Sequence, residues 1–139
     1  MSYLIDTNVL SETRKRRRNQ GVTGWIAETP RERLHLSTMT IGEIARGITQ
    51  LSERRDRQQA AALERWLDDV VEEFGGRIAG VTVEVAREWA AQSQSQPVPV
   101  VDGLIAATAK VHNWTLVTRN VKDFETTGVR LLNPFASLE

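Results

Sequence analysis

Four acidic residues lie beside the ends of predicted strands or the beginnings of predicted helices: Asp6, Glu43, Asp102 and Asp123. Asp6 ends a short apolar run near the start of the chain, and Asp102 begins a late helical pattern. In an open parallel sheet, ligands bind outside the carboxyl ends of the strands. The four carboxylates are therefore expected to converge at one edge of a parallel sheet, although they are far apart along the chain.

A cluster of carboxylates favours a particular chemistry. Several negative charges in one place are unfavourable unless protons or cations neutralise them. Oxygen ligands favour Mg²⁺ or Mn²⁺ over zinc, and the chain has no cysteine that would compete for the site. Such a metal lowers the pKa of bound water and stabilises negative charge on a phosphate. The four acids therefore predict hydrolysis of a phosphodiester bond.

Each acid also has a structural explanation. Asp6 and Asp102 would suit helix N-caps, because a carboxylate there accepts backbone N–H groups and interacts favourably with the helix dipole. Glu43 lies three residues after Thr40, which is the spacing of a capping box. Asp123 would suit an ordinary turn. Taken singly, each structural explanation is at least as good as the chemical one, and only the set of four favours chemistry.

The spacing of apolar residues predicts the elements that must position these acids. Strand patterns occur at residues 3–5, 34–37, 78–81, 115–118 and 130–132. Helical patterns occur at residues 8–15, 21–28, 41–51, 63–74, 82–90 and 100–113. Strands that alternate with helices imply parallel crossovers. We therefore expect an α/β protein, a three-layer α/β/α sandwich with a small, mainly parallel sheet, in a single domain over residues 1–139.

Two long apolar stripes, at residues 41–51 and 63–74, are expected either to pack on each other or to form a clamp for a partner helix. Three of the four tryptophans fit core positions on helices: Trp25, Trp66 and Trp89. Thr82 is expected to cap a helix that buries Val85, Ala86, Trp89 and Ala90. The position of Trp114, just before a strand pattern, leaves its role open.

Charge and composition exclude several classes of protein. The 18 basic and 18 acidic side chains cancel, which argues against a dedicated non-specific nucleic-acid binder. No apolar run reaches the roughly 18–20 residues of a membrane helix, and the N-terminus lacks the order of a signal peptide. Together with the lack of cysteine, these features predict a soluble, cytoplasmic protein without a membrane partner.

Four sequence blocks resemble a known family. They are LIDTNVLSE at residues 4–12, STMTIGEI at 37–44, DGLIAATA at 102–109 and TRNVKDF at 118–124, with Asn-Pro-Phe following at 133–135. Any one block alone is a weak signal, whereas four in this order and spacing are specific. Over essentially its whole length the chain resembles PIN-domain toxins, and most of all the VapC toxins in their FitB-like branch.

This resemblance implies an endoribonuclease of a toxin–antitoxin pair that requires Mg²⁺ or Mn²⁺. It also implies a cognate antitoxin as partner and a homodimer. The implied catalytic and metal-binding residues are Asp6, Glu43, Asp102 and Asp123. The implied supporting polar residues are Thr7, Thr118 and Asn120. Whether Glu43 and Asp123 bind metal directly or through water stays open at this point, and the position of Asp123 is the one that varies in such families.

A dense basic run follows the first block: Arg14, Lys15, Arg16, Arg17 and Arg18. It would suit contacts with RNA phosphates, where each neutralised phosphate steepens the salt dependence of binding. An exposed basic loop is an equally good explanation, and contact with an acidic stretch of the antitoxin is a third.

Other functions fit parts of the sequence. His35 and His112 would allow an acid–base ribonuclease, but a strand position and a helix C-terminus favour structural roles for them. A metal nuclease that acts on DNA would use the same acids. A non-catalytic interaction module would use them only as caps and turn residues. The metal-dependent ribonuclease accounts for more residues than any of these alternatives.

Overall fold

Five short parallel strands form the centre of the computed structural model, which describes residues 1–136. The strands are β1 (Tyr3–Ile5), β2 (Leu34–Ser37), β3 (Ile78–Ala79), β4 (Thr115–Val117) and β5 (Leu131–Leu132). Their order across the sheet is β3-β2-β1-β4-β5, so β1 is the central strand. Every ladder between these strands is parallel, and Leu4 lies opposite Leu116 in the β1–β4 pair. The predicted parallel sheet is confirmed.

Seven helices connect the strands across the described part of the chain. They are α1 (Thr7–Glu12), α2 (Gln20–Glu28), α3 (Thr38–Glu53), α4 (Arg57–Phe74), α5 (Val83–Ala90), α6 (Val100–Val111) and α7 (Val121–Phe124). Single 3₁₀ turns occur at Arg31–Arg33, Gly75–Arg77 and Glu125–Thr127. None of the helices in residues 1–136 is both long and apolar enough to cross a membrane.

Two hydrophobic cores lie on the two faces of the sheet, because neighbouring residues of a strand point to opposite faces. Ile5 and Val117 belong to the larger core, which α1, α2, α3 and α4 cover. Leu4 and Leu116 belong to the smaller core, which α6 and α7 cover. This arrangement is the predicted three-layer α/β/α sandwich. The stripes of α3 and α4 meet within the larger core, so packing on each other is confirmed.

Local hydrogen bonds set helix ends that the apolar pattern placed differently. The hydroxyl of Thr13 donates to the carbonyl of Leu10 at 2.6 Å, and α1 ends at Glu12. The prediction that this helix continues to Lys15 is therefore wrong. At the start of α3, the Ser37 hydroxyl accepts the backbone N–H of Met39 at 3.0 Å. With this cap α3 begins at Thr38, three residues before the apolar stripe that predicted it.

The prediction for α5 is right about its cap and wrong about its buried face. The Thr82 hydroxyl accepts the backbone N–H of Val85 at 3.2 Å, and Val85 is fully buried. Ala86 and Ala90 are exposed, and the Trp89 side chain is 38% exposed. Helical spacing identified an apolar face, but it does not say whether the rest of the chain covers that face.

The C-terminal segment lies against the beginning of α2. The Asn19 side chain caps α2 by accepting the N–H groups of Gly21 and Val22, and it also accepts the N–H of Ala136 at 2.9 Å. The backbone of Pro134 and Ala136 comes so close to Gly21 that a Cβ atom there would overlap both. Gly21 therefore lets the chain end pack on α2.

The substitution Gly21→Ala is expected to lower the free energy of unfolding by about 1–3 kcal/mol, the usual cost of forcing extra atoms into a packed site. Gly24→Ala is the matched control in the same helix, since the added Cβ would meet no atom within 4 Å beyond the adjacent residues and backbone of its own helix. It should raise stability by up to about 1 kcal/mol through helix propensity. Urea unfolding of both variants measures the difference. Equal effects at the two positions would contradict the close approach.

Candidate active site

Asp6 lies at the carboxyl end of the central strand, where its side chain is only 4% exposed. It is also the N-cap of α1, so the structural explanation of this acid is correct as well. One carboxylate oxygen accepts the N–H of Thr7 at 2.8 Å, and the other accepts the hydroxyl of Thr118 at 2.8 Å. Burial raises the pKa of Asp6, while these hydrogen bonds act in the opposite direction.

Hydrogen bonds of Thr118 and Asn8 connect β1 and β4 just beyond the carboxyl ends of the two strands. Thr118 follows β4 and is completely buried. The Asn8 amide donates to Asp6 Oδ2 at 3.2 Å and to Thr118 Oγ1 at 3.3 Å, while its oxygen accepts the N–H of Arg119 at 3.0 Å. Sequence reasoning missed Asn8 as a site residue. Its place two residues after Asp6, in the first turn of α1, is the signal that would have found it.

Glu43 lies on α3 and reaches the same edge through Thr7. The Thr7 hydroxyl donates to Glu43 Oε1 at 2.7 Å. The capping-box explanation of Glu43 is wrong, because α3 begins at Thr38 and Ser37 is its cap. The carboxylate is instead held by the residue that follows Asp6 in the chain.

Asp102 is the third residue of α6 and not its N-cap, so the capping explanation fails here too. Burial, followed by the negative charges of Asp6, Glu43 and Asp123, raises the pKa of the Asp102 carboxyl to about 6. Three residues from distant parts of the chain therefore act electrostatically on one carboxyl group. The structure brings the four predicted acids into one neighbourhood.

Asp123 and Asn120 complete this edge of the sheet from the segment after β4. Asp123 is exposed on the short helix α7, and its N–H donates to the carbonyl of Asn120 at 3.0 Å. The N–H of Asn120 donates to Thr118 Oγ1 at 3.1 Å, while its side chain makes no capping bond to α7. Asn120 therefore supports the site through its backbone.

The donor set fits a hard divalent cation. Its members are carboxylates, and the repulsion that raises the pKa of Asp102 is the kind that a bound cation relieves. Within residues 1–136, no group of three or more acidic or histidine side chains is already arranged to hold a metal ion. The four acids are thus neighbours across a polar edge and are not drawn together into a coordination shell.

The basic run lies in the loop between α1 and α2, and its members have different surroundings. The guanidinium of Arg14 lies 5.9 Å from the centre of the Trp66 ring and lines a cleft that reaches Thr7 and Glu43. Lys15 forms an ion pair of 3.0 Å with Glu12. The Arg18 side chain donates to the carbonyl of Lys15. The remaining members are exposed: Arg16 and Arg17.

The two histidines lie away from the acids, toward the amino ends of the strands. The rings of His35 and His112 stack on Trp114 at centroid distances of 3.9 Å and 4.2 Å. Trp114 precedes β4, whereas Asp6 and Thr118 follow their strands. The structural explanation of the histidines is therefore the correct one, and this stack gives Trp114 its place.

A parallel α/β/α sandwich whose carboxyl edge carries four acids is the arrangement of a small nuclease domain. The family model for the PIN domain matches residues 3–129, and the chain belongs to that family. It is 31% identical to Toxin FitB of Neisseria gonorrhoeae over 95% of this chain and 97% of that protein. It is 29% identical to VapC ribonuclease Y4jK of Sinorhizobium fredii, over 95% and 96% of the two chains.

The fold comparison agrees with the sequence comparison. The crystal structure of FitAcB from Neisseria gonorrhoeae contains a chain that superposes with a TM-score of 0.84 at 30% identity. The match covers 95% of this chain and 97% of that one. The resemblance to VapC toxins of the FitB-like branch is thus confirmed at the level of sequence and of fold.

The raised pKa of Asp102 predicts a pH-dependent effect of Asp102→Asn on the metal-free protein. The pKa of Asp102 is 3.8 in its ordinary range and about 6 in the folded protein, so between pH 3.8 and about pH 6 the folded state holds a proton on Asp102 more tightly than the unfolded state does. The loss of stability caused by the ionised Asp102 carboxylate therefore grows as the pH rises through this range, and it reaches its full value above pH 6. Asp102→Asn should raise stability at pH 7.5 by about 1 kcal/mol, after discounting for solvent screening.

Thermal unfolding in EDTA at pH 7.5 and at pH 4 measures this effect. The variant should melt at a higher temperature than the wild type at pH 7.5, and the two should converge at pH 4. A destabilised variant at pH 7.5 would show that Asp102 is held by favourable contacts and not by repulsion.

Proposed function

We propose that the protein is a metal-dependent endoribonuclease and the toxin of a toxin–antitoxin pair. The observation that carries this proposal is the convergence of three carboxylates, those of Asp6, Glu43 and Asp123, on Asp102 at the carboxyl edge of a PIN domain. The names of its relatives, a toxin and a VapC ribonuclease, support the same activity and an RNA substrate. The single domain over residues 1–139 and a cytoplasmic location belong to the same proposal.

Asp6 and Asp102 would hold a Mg²⁺ or Mn²⁺ ion, with Glu43 and Asp123 contributing directly or through water. Bound there, the metal would supply acidity to a water molecule and stabilise negative charge on the phosphate. Thr118 and Asn8 fix the orientation of the Asp6 carboxylate through hydrogen bonds. Loss of a residue that orients a metal ligand in this way typically lowers metal affinity or activity by about 10- to 100-fold.

Thr7 has two roles in this arrangement. Its N–H fixes Asp6, and its hydroxyl fixes Glu43, so two carboxylates from different elements are oriented by one residue. In the proposed reaction a water oxygen forms a bond to phosphorus and loses one proton, while the P–O3′ bond breaks and O3′ takes up one proton. The products are a 5′-phosphate and a 3′-hydroxyl end.

The cognate antitoxin is expected to bind beside α4, where two clefts meet at Trp66. One cleft, of about 350 Å³, is lined mainly by apolar side chains, including Ile26 and Phe74. The other, of about 320 Å³, runs from Leu63 to the Glu43 carboxylate. A partner segment that fills both would cover the acidic site, and the basic residue Arg14 lines the second cleft. The apolar stripes at residues 41–51 and 63–74 were also expected to suit a partner helix, and in this proposal the partner binds at the side of α4.

A homodimer is also part of the proposal. Two apolar side chains of α5 are exposed in the described chain and are available to a second copy. Val83 is 71% exposed and Trp89 is 38% exposed.

Cleavage of a mixed tRNA and rRNA pool tests the activity. The wild type, Asp6→Asn and the control Glu32→Gln are compared in Mg²⁺, in Mn²⁺ and in EDTA, after circular dichroism shows that each is folded. Glu32 is an exposed acid in the turn before β2, at the opposite end of the sheet. Asp6→Asn should lower the cleavage rate by about 100-fold or more, because removing a metal ligand should cost at least as much activity as removing a residue that only orients one. Glu32→Gln should cleave like the wild type.

Several outcomes would contradict the proposal. Cleavage that persists in EDTA and in Asp6→Asn would rule out the carboxylate site as its source. Products with 2′,3′-cyclic phosphate ends would exclude attack by water, because the 2′ oxygen would then be the nucleophile. Preference for a DNA of the same sequence would make the protein a DNA nuclease. Full toxicity of Asp6→Asn in cells would favour the non-catalytic interaction module.

A further inference from the structure

Arg119 is a cation built into the edge of the sheet that carries the acids. It directly follows Thr118, whose hydroxyl donates to Asp6 Oδ2. The backbone N–H of Arg119 donates to Asn8 Oδ1 at 3.0 Å, and the amide of the same Asn8 donates to Asp6. The backbone of Arg119 and the carboxylate of Asp6 are therefore held by one side chain, and their relative position is fixed.

The guanidinium of Arg119 is also held in place. It lies over the ring of Phe135 at 4.7 Å from the ring centre, the geometry of a cation–π contact. An arginine side chain loses many rotamers when it binds a phosphate, and a stacking surface removes some of that loss in advance. Arg119 is thus oriented before any ligand arrives.

Phe135 is itself anchored by the chain end. Its N–H donates to Asn133 Oδ1 at 3.0 Å, and its ring packs against the larger core. The next residue, Ala136, is bound by the Asn19 side chain, and Gly21 leaves room for this close approach. The C-terminal segment therefore has a defined role: it carries the ring on which Arg119 rests.

The side chain of Arg119 is accessible to an anionic ligand. Arg119 is exposed, and it lies near enough to the buried Glu12 to help lower the pKa of that carboxyl, after the larger effects of Lys15 and Asn19. An RNA that presents one phosphate to the acidic site presents its neighbours along the same edge. Guanidinium groups bind phosphate through two parallel hydrogen bonds.

We propose that Arg119 is a further RNA-binding residue, which holds a phosphate of the substrate beside the carboxylates, and that Phe135 and Asn8 position it. This inference rests on the proposed ribonuclease function and adds a substrate contact to it. Arg119 contributes affinity and register along the RNA, and the acids contribute the chemistry. The basic run makes other contacts: Arg14 lies over the Trp66 ring and Lys15 forms an ion pair with Glu12.

Fluorescence anisotropy with a labelled, mixed-sequence 12-nucleotide single-stranded RNA tests the proposal. The Asp6→Asn protein is the parent, since it is expected to bind RNA without cutting it. Arg119→Gln, Arg119→Lys and Phe135→Leu are added to this parent, together with Arg33→Gln as the control. Arg33 is an exposed arginine in the turn before β2, at the amino end of the sheet.

Arg119→Gln should weaken binding about fivefold and reduce the slope of log affinity against log salt by about 0.7, the value for one phosphate on a single strand. Arg119→Lys should keep the slope but lose affinity, because the charge remains and the two parallel hydrogen bonds do not. Phe135→Leu should weaken binding with the slope unchanged. Arg33→Gln should alter neither quantity.

Two results would overturn the inference. Unchanged affinity and slope in Arg119→Gln, with RNA bound by the parent, would show that Arg119 does not contact the phosphate. Equal losses in Arg119→Gln and Arg33→Gln would show a general effect of net charge. An absence of RNA binding by the parent, together with an absence of cleavage by the wild type, would instead overturn the proposed ribonuclease function.

Discussion

The buried carboxylate of Asp6 is the constraint on which the site depends. A charge in the interior is tolerated only where hydrogen bonds replace the water it has lost. Three donors do so here: the Thr7 N–H, the Asn8 amide and the Thr118 hydroxyl. Two come from α1 and one from the end of β4, so Asp6 is satisfied only when β4 lies beside β1. The geometry of the site therefore depends on the strand order of the sheet.

The molecule separates the source of its stability from the place of its chemistry. Apolar side chains on both faces of the sheet, such as Leu4 and Ile5, are buried in two cores. The carboxyl edge carries like charges whose repulsion raises the pKa of Asp102, and this costs stability while no cation is bound. Function at this edge depends on cores that are strong enough to hold repelling groups together.

Apolar periodicity follows from local geometry, so the sequence allowed the sheet and six of the seven described helices to be predicted, but not the short α7. It also predicted that the four acids lie near one another, and the structure places them so. It did not reveal Asn8, whose role needs Thr118 at its side, or the contact of Arg119 with Phe135, which joins distant segments. Trp89 was placed in the core wrongly, since spacing defines an apolar face but not its cover. What local pattern misses is the pairing between segments far apart in the chain.

Direct titration of Mn²⁺ into the purified protein tests the central claim, that the converging acids form a cation site built on Asp6. Calorimetry or electron paramagnetic resonance at pH 7.5 would compare the wild type with Asp6→Asn and with the distant control Glu32→Gln. The account predicts one saturable site in the wild type and the control, weakened at least about 10-fold in Asp6→Asn. Mn²⁺ affinity that is unchanged in Asp6→Asn, or no saturable site in the wild type, would contradict it.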